Sequence, residues 1–343
     1  LSDIRDSSHA MHAVVLVGGF GTRLRPLTYT IPKPLLPVAH VPMIRRLINR
    51  LEQGGVTDVV LALGFKPEPF FAEFPNDMCG GVRLKYAVES TPLDTAGAIG
   101  FAARSAHVTG TFIVANGDVM TDLDVAKLVD FHRRSEARAT ISLTPVADPS
   151  QFGIVETDAS GKVLRFVEKP QPGETESRFA SAGTYVMEES VLELMPGTEK
   201  LSIERVTFPQ LVAQGELFAM ATSDYWIDAG RPDTYVQANI DIASQMESPA
   251  DRAVHEQAKV SAMAHVVDSI IGAGVSVGDG STVLHSVILE GATIGSDVHV
   301  ERSIIKGRVG DGARIEDCIV APDGTVEAGL RSVGGRFPEI EQA

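Results

Sequence analysis

Ser269-Ile270-Ile271, Ser286-Val287-Ile288, Ser303-Ile304-Ile305 and Cys318-Ile319-Val320 recur at intervals of 17, 17 and 15 residues. Within the intervals aliphatic residues fall six apart: Ile271, Val277 and Val283, then Ile288, Ile294 and Val300, then Val309 and Ile315. A glycine or an acid often follows, as at Gly272, Gly278, Gly295, Glu301, Gly310 and Glu316. A hexad with one inward aliphatic and a small residue at the corner is the repeat of a parallel β-helix, in which three hexads make one triangular coil of ~18 residues. Each coil covers its aliphatics only by stacking on the next, so such a tail folds as an array. A β-sandwich would instead need period-two alternation with turns every ~8–12 residues. The repeats predict about three to four coils.

Upstream, Ala13–Val17 is a short, mostly β-branched run ending in Gly18-Gly19, which reads as a buried strand feeding a glycine-rich loop. Pro42 precedes Met43, Ile44, Leu47, Ile48 and Leu51 on one helical face, and Gly54-Gly55 ends that helix. Strands are predicted at Asp58–Leu63 and Thr111–Ala115, and helices at Thr95–Arg104 and Asp124–Arg133. This alternation points to an α/β, Rossmann-like, mostly parallel sheet covered by helices. From Ala139 the pattern becomes mixed. Strands are predicted at Ala139–Val146, Gly153–Glu156, Val163–Glu168, Ala182–Met187 and Leu217–Ala221, with helices at Glu188–Leu194, Ile203–Gln214 and Pro232–Met246. The expected organisation is a disordered or non-native segment at 1–11, a catalytic domain at 12–246, a linker at 247–260, the β-helix at 261–330 and a tail at 331–343.

The 343-residue chain has a formal net charge of −15, which argues against a nucleic-acid or anionic-membrane partner. The charge is uneven. Residues 12–51 hold Arg23, Arg25, Lys33, Arg45, Arg46 and Arg50 and no acid, so this stretch is suited to an anion. Cys79 and Cys318 are too far apart in sequence for a disulfide framework or a zinc motif and fit reduced thiols of the cytoplasm. No apolar run approaches the ~18 residues of a membrane span.

The basic stretch opens with Gly18-Gly19-Phe20-Gly21-Thr22-Arg23-Leu24-Arg25-Pro26-Leu27-Thr28. Backbone N–H groups of such a loop can converge on phosphate oxygens. No Gly-Lys-Ser/Thr follows, so it is not a Walker A loop, and Leu24 stands where a dinucleotide fingerprint has its third glycine. Arg23 can fork onto phosphate, and Pro32-Lys33-Pro34 holds a lysine between rigid residues.

Gly-Gly-x-Gly-Thr-Arg-Leu-x-Pro-Leu-Thr followed by Pro-Lys-Pro resembles the signature of the sugar-1-phosphate nucleotidyltransferases. Asn116-Gly117-Asp118, Phe166-Val167-Glu168-Lys169-Pro170 and Trp226-Ile227-Asp228-Ala229-Gly230 resemble the family's metal-binding strand end, sugar-phosphate motif and second metal aspartate. The likeness covers about residues 12–243, and the hexad tail is similar to the left-handed β-helix that many members carry. It implies transfer of a nucleotidyl group from a nucleoside triphosphate to a hexose 1-phosphate, with release of pyrophosphate. Asp118 and Asp228 are expected to hold Mg²⁺. Arg23 is expected at the leaving β- and γ-phosphates, Lys33 at the α-phosphate and Lys169 at the sugar phosphate. The resemblance places the nucleotide on Gly18, Gly19, Gly21, Thr22, Glu89, Thr95 and Gly97 besides Arg23 and Lys33. It places the sugar phosphate on Asn116, Gly117, Gly153, Glu168 and Ser181 besides Lys169.

Glu89 and Pro92-Leu93-Asp94-Thr95-Ala96-Gly97 resemble the Leu-Gly-Thr-Ala-Gly stretch of guanylyltransferases, and a carboxylate can accept from guanine N1–H and N2–H₂. Asp94 replaces the usual glycine. It either adopts an unusual backbone angle or signals different base contacts. Ser181-Ala182-Gly183 departs from the usual Asn-Ala-Gly. The first expectation is GTP with mannose 1-phosphate; the alternative is dTTP or UTP with glucose 1-phosphate. An acyltransferase using His265, His285 or His299 is disfavoured by the short array, and those histidines read as surface residues. A non-catalytic regulatory paralogue would be expected to lack a metal aspartate or a phosphate-binding base, and Arg23, Lys33, Asp118, Lys169 and Asp228 are all present. A homo-oligomer built partly through the β-helix is also expected.

Overall fold

The computed structural model describes residues 11–64, 67–245 and 252–339. Backbone contacts divide the chain into two units. One holds the chain through Gly19 and Arg45–Trp226; the other holds Phe20–Ile44 and everything from Ile227 on.

The first unit is built on a ten-stranded mixed sheet. Its centre is parallel: Phe112–Asn116, Met11–Leu16, Val56–Leu63 and Val82–Val88 lie side by side in that order. Ala13, Val14 and Val15 are fully buried, as a strand covered on both faces requires. Phe179–Met187 pairs antiparallel with Phe112–Asn116 and with Ala139–Pro145, and Leu217–Ala221 runs parallel to the latter. Gly153–Thr157 and Val163–Glu168 complete that side. Val82–Val88 escapes the sequence reading because Arg83 and Lys85 interrupt its apolar residues; it alternates buried and exposed positions. The helix expected at Ile203–Gln214 is in fact a π-helical turn, Ile203–Thr207, followed by an α-helix at Phe208–Gln214. Glu189–Leu194 is a 3₁₀ helix. Met43–Gln53 is the amphipathic helix expected, with Met43, Ile44, Leu47, Ile48 and Leu51 buried.

In the second unit three all-parallel five-stranded sheets wind as a parallel β-helix. It has five coils where three to four were expected. The first strand pair begins at Lys259 and the last ends at Phe337, taking in Arg331–Val333, which the sequence assigned to a tail. The last coil hides because Ser332 and Arg336 stand where the coil before it has Ile315 and Ile319. The linker expected at 247–260 lies partly outside the described residues, as does most of the segment at 1–11.

Ile271, Ile288, Ile305 and Val320 stack with no exposure along one inner column, and burying each contributes roughly 1.5–3 kcal/mol. The serine of each triplet has its own reason. The hydroxyls of Ser269, Ser286 and Ser303 donate to the carbonyls of Val267, Leu284 and Glu301 at 2.7, 2.6 and 2.7 Å. Each also accepts the N–H of Ser286, Ser303 or Cys318 in the next coil at 3.0 Å. The ladder satisfies a buried corner that aliphatics would leave unpaired. The single 15-residue interval arises at one corner, where Lys306-Gly307 replaces the four residues Leu289–Ala292.

His132 is buried, with Nδ1 2.8 Å from Thr140 Oγ1 and Nε2 3.0 Å from Glu188 Oε1. Burial lowers its pKa from 6.5, partly offset by Glu188. The unfolded chain therefore takes up this proton at a higher pH than the folded one. The stabilisation is complete above pH ~6.5 and is lost as pH falls from there toward the folded value. Melting temperature should drop with acidification below pH ~6.5, and His132→Gln should flatten that slope, part of which remains because burial also lowers the pKa of His12. An unchanged slope in His132→Gln would assign the acid sensitivity elsewhere.

Candidate active site

The parallel strands bring several predicted residues to one edge. Leu16 is in register with Asn116, and Gly117 N–H donates to Leu16 O at 2.9 Å. Gly18-Gly19 and Asn116-Gly117-Asp118 therefore leave the carboxyl ends of neighbouring strands, the usual ligand side of an open α/β sheet. Glu89 follows Val82–Val88 at the same edge, its N–H bonded to Leu63 O at 2.8 Å. Glu89 Oε2 accepts from Leu93 N–H at 3.0 Å, and burial raises the pKa of its carboxyl.

Asp94 adopts φ 60°, the left-handed conformation, so the first of the two readings offered for it is the one observed. Two residues expected at the nucleotide are engaged with the protein. Thr95 Oγ1 donates to Glu204 Oε2 at 2.9 Å and accepts from Ile203 N–H at 2.8 Å. Gly97 is buried with its Cβ position 2.5 Å from Glu199 O, so it serves close packing of its helix.

Gly153, Glu168, Lys169 and Ser181, expected at the sugar phosphate, lie in the same unit. Lys169 is exposed at the end of Val163–Glu168 with φ 52°, a conformation that disfavours any side chain with a Cβ. Its N–H is held by Phe152 O at 3.0 Å, and Nζ lies 3.7 Å from Glu168 Oε1. Strain of this kind collects where a side chain must be aimed. Burial, reinforced by the charge of Glu204, pushes the Glu168 carboxyl up; Lys169 partly offsets this. Gly153 leaves room for the Phe166 ring and for Glu168 Oε2, which would lie 2.5 and 3.0 Å from a Cβ there. Ser181 Oγ is 3.4 Å from Tyr185 Oη. Trp226 Nε1 donates to Ala182 O at 2.9 Å and packs edge-on against Phe152.

Glu204 was not foreseen. It sits in the π-helical turn, accepts from Ser202 Oγ at 2.7 Å as well as from Thr95, and is electrostatically coupled to Glu168. A π-turn is a common functional irregularity, but nothing in a helix-like sequence marks it.

In the second unit the basic loop is a series of 3₁₀ turns, Thr22–Leu24, Leu27–Tyr29 and Lys33–Leu35. Thr22 and Arg23 are exposed. Gly21, at φ 57°, is pinned by Thr28 Oγ1 donating to its carbonyl at 2.8 Å. Lys33 and Asp228 meet over Gly230. A Cβ at 230 would lie 3.1 Å from Lys33 Nζ and 2.7 Å from Asp228 Oδ1, and Gly230 N–H donates to that same Oδ1 at 2.8 Å. Glycine is what lets the ammonium and the carboxylate approach. His265 and His285 are exposed and His299 is half-buried on the β-helix.

The nucleotidyl transferase family model matches residues 12–245. The chain belongs to this family. A model of the GMPPB C-terminal domain matches residues 250–334. A mannose-1-phosphate guanylyltransferase of Mycobacterium tuberculosis is 37% identical over 306 residues, covering 86% of this chain and 84% of its own. A probable mannose-1-phosphate guanylyltransferase of Oryza sativa is 36% identical and covers 90% of each chain. The solved structure of HddC from Yersinia pseudotuberculosis superposes with a TM-score of 0.58 at 30% identity, covering 67% of this chain and 99% of its own.

Gly183, at φ 76°, faces Asn116, whose Nδ2 would lie 2.6 Å from a Cβ. Gly183→Ala should displace Asn116 and lower turnover at least tenfold, with a drop in melting temperature. Unchanged kinetics would remove Asn116 from the site.

Proposed function

We propose that this chain transfers a guanylyl group from GTP to mannose 1-phosphate, giving GDP-mannose and pyrophosphate. The observation that carries the reading is that relatives bearing this activity in their names align across the β-helix as well as the catalytic segment, over 84–90% of their own length. We assign the chemistry to residues 12–246, with residues 247–260 joining them to the β-helix.

A phosphate oxygen of mannose 1-phosphate attacks the α-phosphorus of GTP. The new P–O bond forms as the bond to the β-phosphate bridging oxygen breaks, and pyrophosphate carries the electron pair away. The nucleophile is already an anion, so no general base is needed; the task is to align two polyanions and offset their charge. Arg23 binds the β- and γ-phosphates from its exposed turn, Lys33 the α-phosphate and Lys169 the sugar phosphate. Gly18, Gly19, Gly21 and Thr22 form the phosphate loop, and Asn116, Gly117, Gly153 and Ser181 line the sugar-phosphate side. Glu89, with one oxygen taken by Leu93 N–H, offers the other to the guanine edge. Glu168 accepts from sugar hydroxyls.

Magnesium suits this donor set. Among the described residues no group of three or more His, Cys, Asp or Glu could hold a metal. Magnesium is commonly held by one or two carboxylates together with substrate phosphates. We assign that role to Asp118 and Asp228 from the motifs in which they stand, and the ion would neutralise phosphate charge when bound. No helix among the described residues is long and apolar enough to cross a membrane, and we place the reaction in the cytoplasm. We also infer a homo-oligomer built partly through residues 261–330; a monomeric mass by light scattering at micromolar concentration would count against it.

Pyrophosphate release from a matrix of nucleoside triphosphates against hexose 1-phosphates tests the pairing. GTP with mannose 1-phosphate should be fastest, and a faster pair of dTTP or UTP with glucose 1-phosphate would overturn the specificity. Asp118→Asn and Asp228→Asn should each lower kcat on the order of 100-fold or more. Near-normal turnover in both would sink the metal assignment.

A further inference from the structure

Four residues after Lys33 the chain makes a two-residue hairpin, with Pro37 opposite Pro42 and Val38 opposite Val41. Its central residues, Ala39 and His40, have φ of 42° and 70°. A turn with both central residues at positive φ is normally made by Asn-Gly or Gly-Gly, because a Cβ there crowds the backbone. Ala-His has no intrinsic preference for it, so the turn must be held from outside.

Two elements of the same unit hold it. From the helix Pro232–Gln245, buried Asn239 accepts the Ala39 N–H on Oδ1 at 2.9 Å and donates from Nδ2 to Tyr235 O at 2.9 Å. Tyr235, also buried, donates its hydroxyl to Pro37 O. From the segment that leads into the β-helix, Arg252 O accepts from His40 Nε2 at 2.8 Å, and the His255 ring packs edge-on against His40 at 5.2 Å. The segment supplying these contacts is itself bonded to Ile271, with Ile271 N–H to Ala253 O and His255 N–H to Ile271 O both at 2.8 Å.

The hairpin is stiffly joined to Lys33. Leu36 N–H donates to Lys33 O at 3.0 Å and Met43 N–H to Leu36 O at 3.1 Å. Pro34 and Pro37 leave few soft dihedrals between the turn and the lysine.

We propose that Asn239 and Tyr235, together with the Arg252–His255 segment that leads into the β-helix, are positioning residues that hold the Ala39–His40 turn and thereby place Lys33 Nζ beside Asp228. The first coil of the β-helix, which anchors that segment through Ile271, is on this account part of the apparatus that aims a catalytic lysine. The inference rests on the reading of Lys33 as the α-phosphate contact. A lysine that has drifted loses its hold on the charge that develops in the transition state, so the loss belongs in kcat more than in KM.

The test uses the full chain. Asn239→Ala should lower kcat about tenfold, and Tyr235→Phe, a milder change that keeps the ring in place, about threefold, with KM for GTP altered less than twofold in each. Each is then combined with Ala39→Asn and His40→Gly, which give the turn a sequence that forms unaided. The combination should restore kcat to within about twofold of the parent. A general loss of helix packing would not be rescued this way, so equal losses of kcat in both backgrounds would overturn the proposal. Unchanged kcat in Asn239→Ala and Tyr235→Phe would overturn it too, provided Lys33→Ala is slow. Normal turnover in Lys33→Ala would instead remove the reading of Lys33 on which the proposal stands.

Discussion

The registered parallel pairing of four central strands is the constraint on which the sheet unit depends. Parallel strands share a direction, so every carboxyl end opens at the same edge. Leu16 opposite Asn116, and Leu63 O bonded to Glu89 N–H, bring Gly18-Gly19, Asp118 and Glu89 to that edge although Glu89 and Asp118 lie some 70 and 100 residues after the glycines. A one-residue slip of the strand Phe112–Asn116 would turn its whole buried set and carry Asp118 off the edge.

Backbone strain marks the places where a side chain must be aimed. Lys169, Asp94, Ala39 and His40 all lie at positive φ. Each is held by a specific partner: Phe152 O for Lys169, its own carboxylate bonded to Thr95 N–H for Asp94, and Asn239 and Arg252 for the turn. Conformations of this kind persist only where surrounding contacts over-determine them. The β-helix carries a similar column at its corners, Asp268, His285, Arg302 and Asp317, where coil stacking and the serine ladder hold the turn. His285 is thus a corner residue.

The central strands, the amphipathic helix at Met43–Gln53 and the hexad columns could be read from the chain because their periods of burial are local. Elements whose burial is one-sided or irregular could not. Val82–Val88 carries charges on its open face, the last β-helix coil carries Ser332 and Arg336 where the coil before it carries Ile315 and Ile319, and the π-turn at Ile203–Thr207 has a helical pattern. Among the residues assigned to the site, Lys33, Asp118, Lys169 and Asp228 stand in recognisable motifs. Glu204 and Asn239 do not; each sits in an ordinary helical context and gains its significance from partners about 110 and 200 residues away.

The sequence by itself determined the repeating architecture of the tail, the mostly parallel order of the sheet, and a basic, acid-free segment suited to a polyanion. These follow from periodicity, β-branched runs and charge, properties of neighbours along the chain. Only the tertiary structure decided that Phe20–Ile44 of this segment falls in one unit with the β-helix, that Lys33 and Asp228 both approach Gly230, and that Thr95 and Gly97 are engaged in packing. The physical reason is that an approach between residues some 200 apart in sequence depends on how whole elements pack, and packing is decided by shape and hydrogen-bond satisfaction across the fold.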